Sequence, residues 1–290
     1  MSKILGIDEA GRGPVIGPLV MCGVSVKEED EKELVKLKVK DSKLLTKEKR
    51  EYMFDKIQDI SYKYEVIVVS PDEVDKAVNN HDGLNLNRLE ARKSAEIINL
   101  LNPDKAIIDA PSNNISSFRE YISNYIKNKK LELILEHKAD MKYPIVSAAS
   151  IIAKVTRDRE IEKIKKKIKV NFGSGYMSDP KTVIFLEKYF EKYPKIFRKS
   201  WAPYKNISSK KFQKKLDLFA DFINKAEHKN KNLAIKLKKL EDFGYTFIPT
   251  SAEHEHVRMK GPCTITLYKS GKLLIQGKEE HKKAVEKILK

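Results

Sequence analysis

The sequence predicts a mixed α/β sheet flanked by helices, followed by a small α+β module. Short β-branched runs alternate with stretches of helical spacing, and the composition turns to a polar connector, EHKNKN, after Ala226. Elements in that order bury their apolar faces by stacking helices on a sheet. At 290 residues the chain exceeds the ~100 to 200 residues of one ordinary domain, so a large domain with a small companion is expected. The boundaries read 1–207 for the main domain, 208–226 for a helical extension or connector, and 227–290 for the module.

Taken in order, Lys3 to Ile7 and Leu19 to Val26 read as strands around the tight loop GRGPVIGP. Three more β-branched runs follow at Tyr64 to Val69, Ala106 to Ile108 and Leu131 to Leu135. Between them, Thr46 with Glu48 close behind marks one helix start and Pro71 another. Leu84 to Leu101 carries Leu86, Leu89, Ile97, Ile98 and Leu101 at helical spacing. Tyr143 to Ile168 is helical again, apolar through IVSAASIIA and charged through RDREIEKIKKKIK. In the module the pattern reads helix (Leu233 to Leu240), hairpin (Thr264 to Tyr268 and Leu273 to Gln276 around Lys269–Lys272) and helix (His281 to Leu289).

No apolar run approaches the ~18 residues of a membrane span, and the amino terminus has no signal-peptide layout, so a cytoplasmic protein is expected. Cys22 and Cys263 stand far apart, which argues against a disulfide framework or a zinc site and for inert thiols. Fifty-eight Lys and Arg against 41 Asp and Glu give +17, a balance that favours a polyanion such as nucleic acid. The excess is local: residues 163–215 hold 16 Lys or Arg against Asp179, Glu187 and Glu191, a net of +13. Tyr176, Tyr189, Phe190, Tyr193, Phe197, Trp201 and Tyr204 are interleaved with them. Such a mixture suits phosphate contact with ring stacking, although several of these rings must be core.

Asp8-Glu9 is the sharpest chemical feature, because adjacent ionised groups at the end of an apolar run are costly unless they face solvent or a cation. Asp109 ends another strand in the same way, and Asp140 follows LELILE across HKAD. Each alone reads as a loop or cap residue; together they make a four-carboxylate cluster. An all-oxygen set suits Mg²⁺ or a similar hard cation, and four acids suffice for two-metal phosphodiester hydrolysis. The loop Gly11-Arg12-Gly13-Pro14 lacks dinucleotide or P-loop spacing. It reads either as an ordinary tight turn or as backbone able to approach a ribose 2′-hydroxyl closely.

GIDEAGRGPVIGPLV, Asp41-Ser42-Lys43, IIDAP, HKADMKYPIVSAASIIAKVTRDR and GSGYMSDP, in this order, resemble ribonuclease HII, particularly its archaeal form, over about residues 1 to 207. The resemblance implies an RNase H-like fold that cuts 5′ of a ribonucleotide with Mg²⁺ or Mn²⁺. By the same match, Asp8, Glu9, Asp109 and Asp140 would hold metal, Gly11, Arg12 and Gly13 would sense the 2′-hydroxyl, and Tyr176 would stack on the deoxyribose beyond it. Lys43, Lys154 and Arg157 read equally as phosphate contacts and as solvated charges. The GRG arrangement favours the type that accepts a single embedded ribonucleotide over the sister family, ribonuclease HIII.

Residues 231–290 resemble half of a TATA-box-binding-protein fold, similar to the extra substrate-binding module of ribonuclease HIII. From Glu227 onward 14 Lys or Arg stand against eight Asp or Glu, which fits duplex binding; packing or dimerisation is the alternative. Gln213, Leu216 and Phe219 partly match a sliding-clamp-binding box, and an amphipathic helix explains the same spacing. His254 and His256 are expected to share a strand face at the surface.

Overall fold

A strand as apolar as KILGI on both faces belongs in the middle of a sheet covered by helices on either side. In a computed structural model β1 (Lys3–Ala10) takes that place, with Ile4 in one core and Leu5 and Ile7 in the other. The structure describes residues 2–37, 39, 45–80, 83–211, 213, 235–248, 252 and 254–289. They fall into two compact units, Met1–Lys205 and Asn206–Lys290.

In the first unit β2 (Leu19–Lys27) pairs antiparallel with β1, and β3 (Lys63–Val69) antiparallel with β2. β4 (Lys105–Asp109) runs parallel to β1, and β5 (Glu132–Glu136) parallel to β4. The order β3-β2-β1-β4-β5 makes a mixed five-stranded sheet. All five expected strands are present. β1 runs further than its apolar stretch, so that Asp8 and Glu9 lie within the ladder opposite Cys22 and Met21.

Helices cover both faces. On one lie α1 (Glu31–Lys36), α2 (Lys47–Ile60) and the long α7 (Pro144–Ile168). Thr46 caps α2 by accepting from the Lys49 amide at 3.3 Å. α7 lies against β1 closely enough that a Cβ on Gly6 would sit 2.4 Å from the Ile145 carbonyl, so only glycine allows the approach. Its buried Ile145, Val146, Ile151 and Ile152 each contribute about 1.5–3 kcal/mol of burial. On the other face lie α3 (Pro71–Val78), α4 (Leu86–Leu101) and α5 (Ile115–Ser123). α4 starts at Asn85, whose side chain accepts from the Arg88 amide, and stops at Asn102 in the left-handed region. The sequence pattern flagged neither α1 nor α5, because six and nine residues hold too few turns to show a period.

Within the basic, aromatic window several rings are core, as expected. Around α8 (Pro180–Tyr189), Phe172, Phe185, Phe190 and Phe197 are buried. Phe185 lies 4.9 Å from Tyr189, 6.0 Å from Tyr193 and 5.9 Å from Phe197. Phe190 and Phe197 thus join Phe172 and Phe185 in a core on which Tyr189 and Tyr193 pack, and the lysines between them lie outside it.

The second unit holds an antiparallel sheet, β6 (Thr246–Ile248), β7 (Glu255–Lys260), β8 (Thr264–Tyr268) and β9 (Leu273–Gln276), with α9 (Glu279–Leu289). Leu237, Leu240, Met259, Ile265, Leu267 and Val285 form its core. The expected hairpin is β8–β9; β6 and β7 enlarge it to four strands. β7 is the strand expected around His254 and His256, and it carries a bulge between Glu255 and Val257. His254 is exposed just before the strand and stacks on Tyr268 at 5.6 Å, and His256 lies half-buried beside the bulge. No helix among the described residues is long and apolar enough to cross a membrane.

Candidate active site

Parallel pairing places Ile7 beside Ile108, so Asp8 and Asp109, the next residue of each strand, come out together. Asp140 joins them from α6 (Ala139–Lys142), where Lys138 in the left-handed region turns the chain after β5 and the Ala139 amide donates to Asp109 Oδ1 at 3.3 Å. One carboxylate oxygen from each of Asp8, Asp109 and Asp140 lies within 4.8 Å of the others. Asp8 and Asp140 are 6% and 7% exposed. Burial pushes the Asp8 carboxyl up to about 7, with Asp109 and Asp140 adding to it, against the lowering effect of a Ser150 hydrogen bond and the Glu9 amide. Three such groups do not ionise together in a poorly hydrated site without a cation. An all-oxygen donor set at the end of a sheet fits a hard divalent ion.

Glu9 stands apart from this group. Successive strand side chains point to opposite faces, so Asp8 faces α7 and Glu9 faces α4. Burial raises the Glu9 carboxyl well above its ordinary value, and Asp8, Glu90 and Asp109 raise it further, while Arg12 lowers it. Glu90, on α4, is a site residue that sequence reasoning missed. It is fully buried, and burial lifts its carboxyl to about 7 although Arg12 and Arg198 pull the other way. The available signal was one glutamate on the apolar stripe of α4.

The loop after β1 is fixed from two sides. Gly11 has φ +83°, and a Cβ there would sit 2.4 Å from Arg157 Cδ, so position 11 requires glycine for backbone and space alike. Buried Arg198 donates to the carbonyls of Gly11 at 2.5 Å, Arg12 at 2.8 Å and Gly17 at 3.1 Å. Trp201 Nε1 donates to Gly13 O at 3.2 Å. Toward α4, Arg12 donates to Glu90 at 2.9 Å and to Asn87 at 2.6 Å.

Tyr176 is half-buried near Gly13, with the Arg157 guanidinium 5.0 Å from its ring centroid. Arg157 is only 1% exposed and donates to Ser174 O at 3.1 Å. It is thus neither a solvated charge nor a group open to a phosphate; it supports the Tyr176 segment from beneath. Lys154 bonds Asp158 and lines a cavity of about 160 Å³ with Lys47, Lys165 and Tyr176. Lys43 lies outside the described residues.

Carboxylates brought together at the ends of β1 and β4 on an RNase H-like sheet define a class of acidic-site hydrolases acting on nucleic acid. Residues 5–204 match the family model for Ribonuclease HII. Ribonuclease HII of Pyrococcus furiosus is 46% identical over 229 residues, covering 75% of this chain and 98% of that protein. Among solved structures, the ribonuclease H2 from Pyrococcus horikoshii OT3 is similar at 45% identity with a TM-score of 0.65, over 72% of this chain and 98% of that one. The ribonuclease HII of a PCNA:RNase HII complex from Archaeoglobus fulgidus gives 41% identity and 0.63, over 70% and 96%. The chain belongs to the ribonuclease HII family and is a type 2 ribonuclease H, which cleaves RNA in RNA–DNA hybrids. The family match ends at residue 204, before the second unit begins at Asn206.

Proposed function

We propose that the chain incises duplex DNA on the 5′ side of an embedded ribonucleotide, leaving 5′-phosphate and 3′-hydroxyl ends, in ribonucleotide removal and primer processing in the cytoplasm. The approach of Asp8, Asp109 and Asp140 to within 4.8 Å carries the reading. With Glu9 they would hold two Mg²⁺ or Mn²⁺ ions, which when bound would favour attack by water and stabilise the leaving oxygen. Gly11, Arg12 and Gly13 approach the ribose 2′-hydroxyl, and Tyr176 stacks on the sugar that follows. Lys43 and Lys154 contact backbone phosphate, and Arg157 acts by bracing Tyr176.

Residues 227–290, read as half of a TATA-box-binding-protein fold, add duplex contacts. A sliding clamp is a further partner: the Archaeoglobus relative is known in complex with PCNA. Gln213 of the candidate box is exposed and helical, while Leu216 and Phe219 lie outside the described residues. Retention of the chain on an immobilised clamp, abolished by Phe219→Ala, tests that partner.

The deciding experiment is cleavage of a DNA duplex carrying one ribonucleotide, with Mg²⁺, with Mn²⁺ and with chelator, beside an all-RNA hybrid. Metal-dependent incision 5′ of the single ribonucleotide is expected. Cleavage of the long hybrid alone would replace the junction reading with one of tract recognition.

A further inference from the structure

We infer that Glu90 is a positioning residue: it fixes the Arg12 side chain in the orientation that meets the substrate strand. The inference rests on the 2′-hydroxyl role proposed above for that loop.

Glu90 occupies a place where a helix of this kind normally carries an apolar residue. Its neighbours Leu89, Ala91, Ala95 and Ile98 are all core, and Glu90 itself is 0% exposed. A buried carboxylate is retained in such a place only with a partner, and the partner here is a single guanidinium. Arg12 Nε reaches Glu90 Oε1 at 2.9 Å, and Arg12 Nη2 reaches Asn87 Oδ1, one turn earlier on α4, at 2.6 Å. The other Glu90 oxygen, Oε2, is buried without a hydrogen-bond partner, so the carboxylate's hydrogen bonding is spent on Arg12. Two bonds to a planar fork set its orientation as well as its position. The Arg12 side chain nevertheless remains 40% exposed, so it is held at the surface rather than sealed in the core.

The loop backbone is held independently. Arg198 and Trp201 take the carbonyls of Gly11, Arg12 and Gly13, which leaves Glu90 and Asn87 to direct the side chain. Glu90 touches no reacting atom in this arrangement, so its hydrogen-bonded route to the substrate passes through Arg12.

A double-mutant cycle tests this on the full chain, reading kcat/KM on the single-ribonucleotide duplex. Glu90→Leu is expected to lower kcat/KM about tenfold, the loss of one charge-assisted hydrogen bond. Glu90→Gln, which still offers Arg12 an acceptor, should recover part of that. In an Arg12→Gln background, Glu90→Leu should have no further effect, because the route through Arg12 is already gone. A loss on Glu90→Leu that tracks weakened Mn²⁺ binding by the free protein would place the effect at the neighbouring Glu9 and overturn the inference.

If the two substitutions multiply, or if Glu90→Leu stays within about twofold of wild type against that tenfold expectation, the inference fails while the loop reading stands. A silent Arg12→Gln would sink the loop reading and the inference with it. Should Glu90→Leu not fold, Asn87→Ala replaces it in the same cycle, with the same outcomes deciding.

Discussion

Charge is handled differently on the two sides of β1. Toward α7, Asp8, Asp109 and Asp140 converge, and each carboxylate makes ionisation of Asp8 harder. Toward α4, Glu90 meets the Arg12 guanidinium, and the carbonyls of Gly11 and Arg12 meet Arg198. The first arrangement requires a cation from outside; the second is completed by the chain itself. A single strand thus separates a site that becomes stable when loaded from a loop that is preorganised without a ligand.

The comparison breaks most decisively at the acids. Asp109→Asn should abolish turnover, a loss beyond the 10- to 100-fold typical of groups one step removed from a metal, while duplex affinity in a binding assay holds. Retained turnover at saturating Mg²⁺ would contradict the assignment. Arg198→Ala should instead cost stability, about 3 kcal/mol or more for three carbonyls deprived of their donor. That is a fall of roughly 6–12 °C in thermal midpoint, with the dependence on Mg²⁺ unaltered.

The pH response sharpens the contrast. Asp8 has its folded carboxyl raised to about 7 from an ordinary 3.8. Between those values the native state holds a proton that the unfolded chain has released, so its stability contribution is full below the lower value and disappears as pH rises through about 7. With chelator present, the thermal midpoint should therefore drop by several degrees from pH 5 to pH 8. Mn²⁺ should restore it, and Asp8→Asn should flatten the profile. A flat wild-type profile would mean that the acids do not repel as the geometry indicates.

Tyr176→Ala has a smaller expected effect, about a tenfold rise in KM from removal of one stacking ring, with kcat largely preserved. An equal fall in kcat would move Tyr176 from substrate stacking to the reacting centre. Least affected of all should be turnover after truncation at Ala226, since both sides of β1 are built from the first unit. Salt dependence carries that test: the slope of log affinity against log salt should flatten by about 0.9 for each phosphate that the shortened chain no longer neutralises. An unchanged slope favours packing or dimerisation for residues 227–290.

Much of the fold was legible because strands of four to eight apolar residues between turns leave a strong local record. All five strands of the first sheet are visible in this way, and the helix starts at Thr46 and Pro71 have capping chemistry that shows in a few residues. β6 left no such record, since its three residues are too few to show a period. That several of the interleaved rings between Tyr176 and Tyr204 must be core was legible, but which ones was not, because composition does not tell a stacking ring from a packed one; the distances around Phe185 do.

By itself the sequence determined the alternation of elements, the acids at strand ends, the glycine-flanked arginine and the motif order of the family. These are local facts, fixed by neighbours along the chain. Only the tertiary structure decided that Asp8 joins Asp109 and Asp140 while Glu9 turns away, that Arg157 lies beneath Tyr176, and that Glu90 and Arg198 hold the loop. Those facts depend on strand parity, parallel register and partners 78 and 186 residues away, and a buried charge acquires its meaning from the partner it meets.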